Sequence, residues 1–189
     1  MPVNSPAPPE LPPARQPSGP YKVCLVCLGN ICRSPMAEIV LRDELARAGL
    51  SEAVSVDSAG TGDWHIGERM HGPAQAELAS RGYDGSAHRA RQIQPSWLVG
   101  YDLLVAMDRR NLASLRQMAP DAETAGRVRL LREFDPALAK DDPYDGEVPD
   151  PYGAPQEYYA LALDLVLAGA RGLARQLAEL LDAAAQPQA

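Results

Sequence analysis

Hydrophobic and polar positions follow two different periods along the chain. Val23-Cys24-Leu25-Val26-Cys27 is an unbroken apolar run, the pattern of a strand buried on both faces of a parallel sheet. After a glycine-containing turn the period lengthens and predicts a helix over about 35–48. Ser34 suits its N-cap, Pro35 its first helical position and Gly49 its exit. Residues 53–59 alternate, with Val54 and Val56 set between polar neighbours, and read as a second strand. A helical segment follows over about 73–81. Leu103-Leu104-Val105-Ala106 reads as a third buried strand, ahead of a helix near 109–118, and 128–131 as a short fourth strand. A last helix over about 156–182 carries apolar residues at 163, 166, 170, 173, 177 and 180, a stripe suited to packing on a sheet.

Strands alternating with helices predict one α/β domain over 21–182, a doubly wound, four-stranded parallel sheet flanked by helices. Residues 1–20 are crowded with proline and read as a disordered, partly polyproline-II tail, and 183–189 as a second short disordered tail. At 46% hydrophobic and 23% charged, the chain has the proportions of a soluble globular protein. The formal net charge of −7 argues against nucleic acid or an anionic membrane as the main partner, since both call for clustered Lys and Arg. No apolar run reaches the ~18 residues of a membrane span. All three cysteines fall between 24 and 32, which is no disulfide framework. A reducing, cytoplasmic setting and a monomer are expected.

In a doubly wound sheet, ligands bind beyond the carboxyl ends of the strands. There the sequence places Cys27-Leu28-Gly29-Asn30-Ile31-Cys32-Arg33-Ser34-Pro35, between a buried strand and the start of a helix. Unpaired N–H groups and the helix dipole favour an anion at such a junction, whether a bound phosphate or a thiolate. Cys27 is thus a candidate nucleophile. Arg33 offers a planar fork that matches two phosphate oxygens. Gly29 lets the backbone curl tightly, and Leu28, Ile31 and Cys32 complete a loop whose amides can hold an anion. Ser34 can donate its hydroxyl to the sulfur, and the Asn30 amide can brace the loop.

The string Cys-x-Gly-Asn-x-Cys-Arg-Ser-Pro opening the first helix resembles the low-molecular-weight protein tyrosine phosphatases of the bacterial type. The resemblance runs from Tyr21 to Asp182. It takes in Ser58-Ala59-Gly60-Thr61 with Trp64-His65, then His88-Arg89-Ala90-Arg91-Gln92, Ala106-Met107-Asp108 and Val148-Pro149-Asp150-Pro151-Tyr152-Gly153. It implies hydrolysis of protein phosphotyrosine through a phosphocysteine on Cys27, with Arg33 as phosphate clamp and Asp150 as general acid and base. It implies pocket walls at Trp64 and Tyr152, tyrosine-phosphorylated proteins as partners, and no metal or cofactor. Two departures stand out. His71-Gly72-Pro73 occupies the place where members often carry Asp-Pro-Arg, which predicts a lost scaffold contact. Tyr152 is followed by Gly153 rather than a second aromatic, which predicts a more open rim.

Other readings of the same residues carry less. Cys24 and Cys27 form a Cys-x-x-Cys, but residues three apart on a strand face opposite ways and no second ligand pair follows, so Cys24 reads as core. Asp142-Pro143-Tyr144 competes with Asp150-Pro151-Tyr152 for the acid; the flanks favour Asp150 and leave Asp142 as a solvated loop residue. His88, Ser58 and Asp108 read as structural, and His71 has no functional reading. Arsenate reduction on the same fold would need cysteines beyond Cys32, and there are none. Arginine-phosphate hydrolysis goes with Thr where Ile31 stands. A non-catalytic phosphotyrosine-binding module would need no nucleophile. Cys32, in the same loop as Cys27, is expected to form a reversible disulfide with it under peroxide.

Overall fold

A computed structural model describes residues 9–185. Four strands, β1 (Tyr21–Cys27), β2 (Val54–Gly60), β3 (Leu103–Ala106) and β4 (Val128–Leu130), form one parallel sheet in the order β2-β1-β3-β4. The register pairs Val23 with Val56 on one side and with Leu103 on the other. The helices are α1 (Arg33–Arg47), α2 (Gly72–Ser80), α3 (Arg109–Met118), the single turn α4 (Ala122–Ala125) and α5 (Gln156–Ala185). Two 3₁₀ segments, Pro95–Gly100 and Leu131–Phe134, fill connections that the apolar pattern leaves blank.

Alternation along β1 divides the core in two. Val23, Leu25 and Cys27 face a layer built from α1, α2 and α5. Cys24 and Val26 face a smaller layer with Leu98, Leu104, Leu115 and Val128. Cys24 and Cys27 therefore lie on opposite faces, and Cys24 is a core thiol whose pKa burial pushes up to about 12. The stripe on α5 packs as expected: Leu163, Val166, Ala170, Leu173 and Leu177 are buried, with Leu180 half-buried against them. The chain leaves β1 toward β2 and later returns to β1's other side as β3. That reversal makes the carboxyl end of β1 the switch point where an open α/β sheet holds its ligand.

Two features differ from the sequence reading. The helix after β1 starts at Arg33 with Cys32 as its N-cap residue, so Ser34 does not cap it. The Ser34 hydroxyl is taken instead by Cys27, Asn30 and the Ala59 carbonyl. Residues 1–8 and 186–189 of the expected tails lie outside the described residues, but 9–20 lie along the domain. Leu11 is buried in the larger core layer, and Pro12 accepts a hydrogen bond from the Tyr21 hydroxyl at 2.8 Å. Arg15 spans the amino ends of the strands: its N–H donates to Asp102 at 2.6 Å, and its guanidinium to the Tyr101 carbonyl, Glu123 and Thr124. These bonds lie at the edge opposite the Cys27 loop.

Candidate active site

β1 ends at Cys27, and residues 28–32 wrap from it to the N-terminus of α1. Asn30 sits at the bend with a φ of +54°, a left-handed conformation that costs a side-chain-bearing residue about 1 kcal/mol or more. Five contacts hold it there. Its amide nitrogen donates to Ser34 and Ser58 at 2.9 Å each, and its amide oxygen accepts from the Arg91 N–H at 2.9 Å. Its carbonyl lies 2.7 Å from His88 Nε2, and its N–H donates to Cys27 Sγ at 3.3 Å. Ser58 passes the network on to Glu38. Burial lowers the His88 pKa, opposed by the Asn30 carbonyl and Glu38. The loop also needs bare backbone beneath it: a Cβ at Gly60 would lie 2.6 Å from the Leu28 carbonyl oxygen.

Cys27 Sγ lies 3.0 Å from the Ser34 hydroxyl. Among the described residues, the N–H groups of Gly29, Ile31, Cys32 and Arg33 have no hydrogen-bond acceptor, so the loop keeps donors open at a helix N-terminus. Arg33 is 2% exposed, and its guanidinium is shared three ways. Nη1 donates to Asp108 at 2.7 Å and to the Val148 carbonyl at 3.0 Å; Nη2 donates to Asp150 at 2.9 Å. Nε is buried without a partner. Burial works against the charge, but Cys27, Asp150 and Asp108 outweigh it and raise the Arg33 pKa, so the guanidinium stays cationic. A buried cation with N–H donors still unused, Nε among them, beside open backbone amides can take a dianion such as a phosphoryl group.

These groups line a pocket of about 150 Å³, with Cys27, Leu28, Gly29, Ile31, Cys32 and Arg33 from the loop. Trp64, His65, Asp150 and Tyr152 complete it from two other segments. Trp64 and Tyr152 are 68% and 56% exposed, aromatic surfaces at a mouth rather than in a core. Trp64 folds back over Gly62, where any Cβ would run into its ring. Asn30 and Ser34 stand behind the pocket, fully buried, rather than in its wall. His65, which the sequence leaves open between ordinary surface placement and substrate contact, lines the pocket. His71, expected to mark a lost contact, packs its ring at a tilt against Tyr152 and hydrogen-bonds with Tyr159.

The two Asp-Pro-Tyr segments separate clearly. Asp150 lines the pocket, and its second oxygen accepts from the Tyr152 N–H at 3.3 Å. Asp142 lies elsewhere and is not the solvated residue the sequence suggests. It is 11% exposed and accepts from Arg132 at 2.7 Å and from the N–H groups of Tyr144 and Gly146. Burial opposes its charge, but these donors outweigh that and hold its pKa below the ordinary carboxylate value.

Comparison with known proteins bears on the family and the fold. The family model for low molecular weight phosphotyrosine protein phosphatases matches residues 22–183. A low molecular weight protein-tyrosine-phosphatase of Streptomyces coelicolor is 49% identical over 81% of the chain and 91% of its own length. The low molecular weight protein-tyrosine phosphatase A of Mycobacterium tuberculosis is 46% identical over 70% of the chain and 82% of its own. Among solved structures, an Entamoeba histolytica protein tyrosine phosphatase with Hepes in its active site superposes with a TM-score of 0.77. It is 30% identical, and the match covers 84% of this chain and 97% of that one. YfkJ of Bacillus subtilis superposes with a TM-score of 0.73 at 37% identity, over 82% and 93% of the two chains. Among the described residues, no helix is long and apolar enough to cross a membrane.

Proposed function

Because the chain belongs to the low molecular weight phosphotyrosine protein phosphatase family and removes phosphate from phosphotyrosine-bearing proteins, we propose that Cys27, Arg33 and Asp150 carry that reaction. The observation behind this assignment is that sulfur, guanidinium and carboxylate line one small pocket at a helix N-terminus. The phosphoryl group sits on the open loop amides and the free Nε of Arg33. The Cys27 thiolate attacks phosphorus, the bond from phosphorus to the phenolic oxygen breaks, and Asp150 gives that oxygen its proton. Charge on the equatorial oxygens is met by groups already in place, which is where most catalysis of phosphoryl transfer arises. A water then attacks the phosphocysteine, loses its proton to Asp150, and leaves inorganic phosphate and the thiolate. Ser34, 3.0 Å from the sulfur, stabilises that departing thiolate.

Asp150 pairs with Arg33 Nη2. The incoming phosphate competes for that donor, and its arrival frees the carboxyl to face the leaving oxygen. Trp64 and Tyr152 form a slot for the phenyl ring, and tyrosine-phosphorylated proteins are the substrates. Purified protein, with chelator present, should release phosphate from phosphotyrosine peptides and little from phosphoserine or phosphoarginine peptides. The opposite ranking would overturn the slot.

Asp150→Ala should slow hydrolysis about 10²–10⁴-fold for tyrosine-like leaving groups, the usual contribution of a positioned acid, and less for nitrophenyl phosphate. Asp142→Ala should leave turnover near wild type. It should cost about 3 kcal/mol of stability, the low end for breaking a buried pair, because Arg132 keeps Asp135. Rates for both leaving groups and thermal melts separate the two; exchanged profiles would reverse the assignment.

We also propose that Cys32 protects Cys27. Both thiols line the pocket. Burial, then the charge of Cys27, raises the Cys32 pKa, so Cys32 rests as a thiol while Cys27 meets the oxidant first. Peroxide converts the Cys27 thiolate to a sulfenic acid, and Cys32 displaces water from it to form a disulfide. After peroxide and then a dithiol, wild type should regain most activity and Cys32→Ser much less. Equal recovery would leave Cys32 as packing.

A further inference from the structure

We infer that His71 is a positioning residue, holding the Tyr152 ring from behind as the wall on which a substrate's aromatic ring lies. Tyr152 is exposed and sits where the chain turns, with Gly153 next to it at a φ of +77°. An exposed ring in such a loop keeps its rotamer freedom unless something packs against it. His71 does so: the two ring centroids are 4.9 Å apart and the planes are inclined by 45°, within the range where such rings attract. His65, another ring beside Tyr152, is the more distant of the two at 6.1 Å, toward the outer end of that range.

His71 is itself anchored to rigid parts of the fold. Its N–H donates to the Ile31 carbonyl at 2.9 Å, which ties it to the Cys27 loop. Its Nδ1 lies 3.0 Å from the Tyr159 hydroxyl, and the two rings are 5.8 Å apart. Tyr159 belongs to the buried face of α5. His71 occupies the N-cap position of α2 but makes no side-chain bond to that helix, so its ring is free to bridge Tyr159 and Tyr152. A buried helix residue thus fixes an exposed rim residue through one histidine. His71 does not line the pocket and acts only through Tyr152.

This role rests on the phosphotyrosine reading, since a wall matters only to a ligand that carries a ring. The test compares inorganic phosphate with benzylphosphonate as competitive inhibitors, beside KM and kcat on a phosphotyrosine peptide. Wild type should prefer benzylphosphonate. His71→Ala should lose about five-fold of that preference and gain about five-fold in KM, the size of one aromatic pair, with kcat and phosphate inhibition unchanged. His71→Phe keeps the ring and should restore most of the preference. A preference that survives in His71→Ala overturns the role while the phosphotyrosine reading stands. A wild type that binds both inhibitors alike removes the aromatic slot, and this role with it. Equal loss of both inhibitors in His71→Ala would mark His71 as a support of the Cys27 loop through Ile31 and would also overturn the wall.

Discussion

Cys27→Ser is expected to lose activity on phosphotyrosine peptides by on the order of 10⁴–10⁶-fold, as nucleophile deletions do in other hydrolases. A serine hydroxyl does not ionise at neutral pH, and neither a carboxylate nor an imidazole is hydrogen-bonded to the Cys27 sulfur to take its proton. The groups hydrogen-bonded to Sγ are the Ser34 hydroxyl at 3.0 Å and the Asn30 N–H at 3.3 Å, and both can donate. They suit a sulfur anion and would not activate an alcohol. The exchange barely changes volume, and Asn30 keeps its other four contacts, so the loop should hold its shape. Phosphate binding should persist, followed through Trp64 at the pocket mouth, with Trp97 the only other tryptophan. Turnover within about ten-fold of wild type would falsify the nucleophile assignment; loss of phosphate binding together with turnover would mean that the loop had collapsed.

What could be read from the sequence depended on how local the cause was. β3 and α3 match their expected bounds because a continuous apolar run and an Asp-capped helix declare themselves within a few residues. The Cys27 loop was readable for a similar reason, since its chemistry is contained in nine consecutive residues. The N-terminal stretch was not. Its prolines read as a loose tail, while Arg15 is held by Asp102, Tyr101, Glu123 and Thr124, partners about ninety or more positions away. Asp142 and Asp150 share the same following Pro-Tyr, and what separates them is the surroundings the fold gives each, with Arg132 as the cationic partner of one and Arg33 of the other. His71 lay beyond reach altogether, because its ring contact with Tyr152 and its hydrogen bond with Tyr159 join segments about eighty or more positions apart. Ser34 shows a local signal that was overridden: Ser-Pro suits a helix cap, but its hydroxyl serves the sulfur and the amide of Asn30 instead.

Arg33→Lys is expected to lower kcat/KM by about 10³-fold, equivalent to about 4 kcal/mol of transition-state stabilisation. The guanidinium serves three partners at fixed angles: Asp108 and the Val148 carbonyl on Nη1, and Asp150, the proposed acid, on Nη2. Its Nε remains for the phosphoryl oxygens. A lysine brings one compact ammonium on a flexible stem, without the planar fork that addresses two oxygens together. Wherever it settles, it gives up some of these contacts. Drawn toward Asp108, it leaves the phosphate without its clamp; drawn toward the phosphate, it leaves Asp108 and the Val148 carbonyl short of a donor in a buried site. The variant should therefore also melt at a lower temperature, since an unsatisfied buried acceptor costs about 1–3 kcal/mol. Inhibition by inorganic phosphate should weaken alongside kcat/KM, whereas Asp150→Ala should spare phosphate inhibition because its carboxylate is no donor. A lysine variant with near-normal kcat/KM and phosphate inhibition would show that the loop amides alone hold the phosphoryl group, and would remove Arg33 from the clamp.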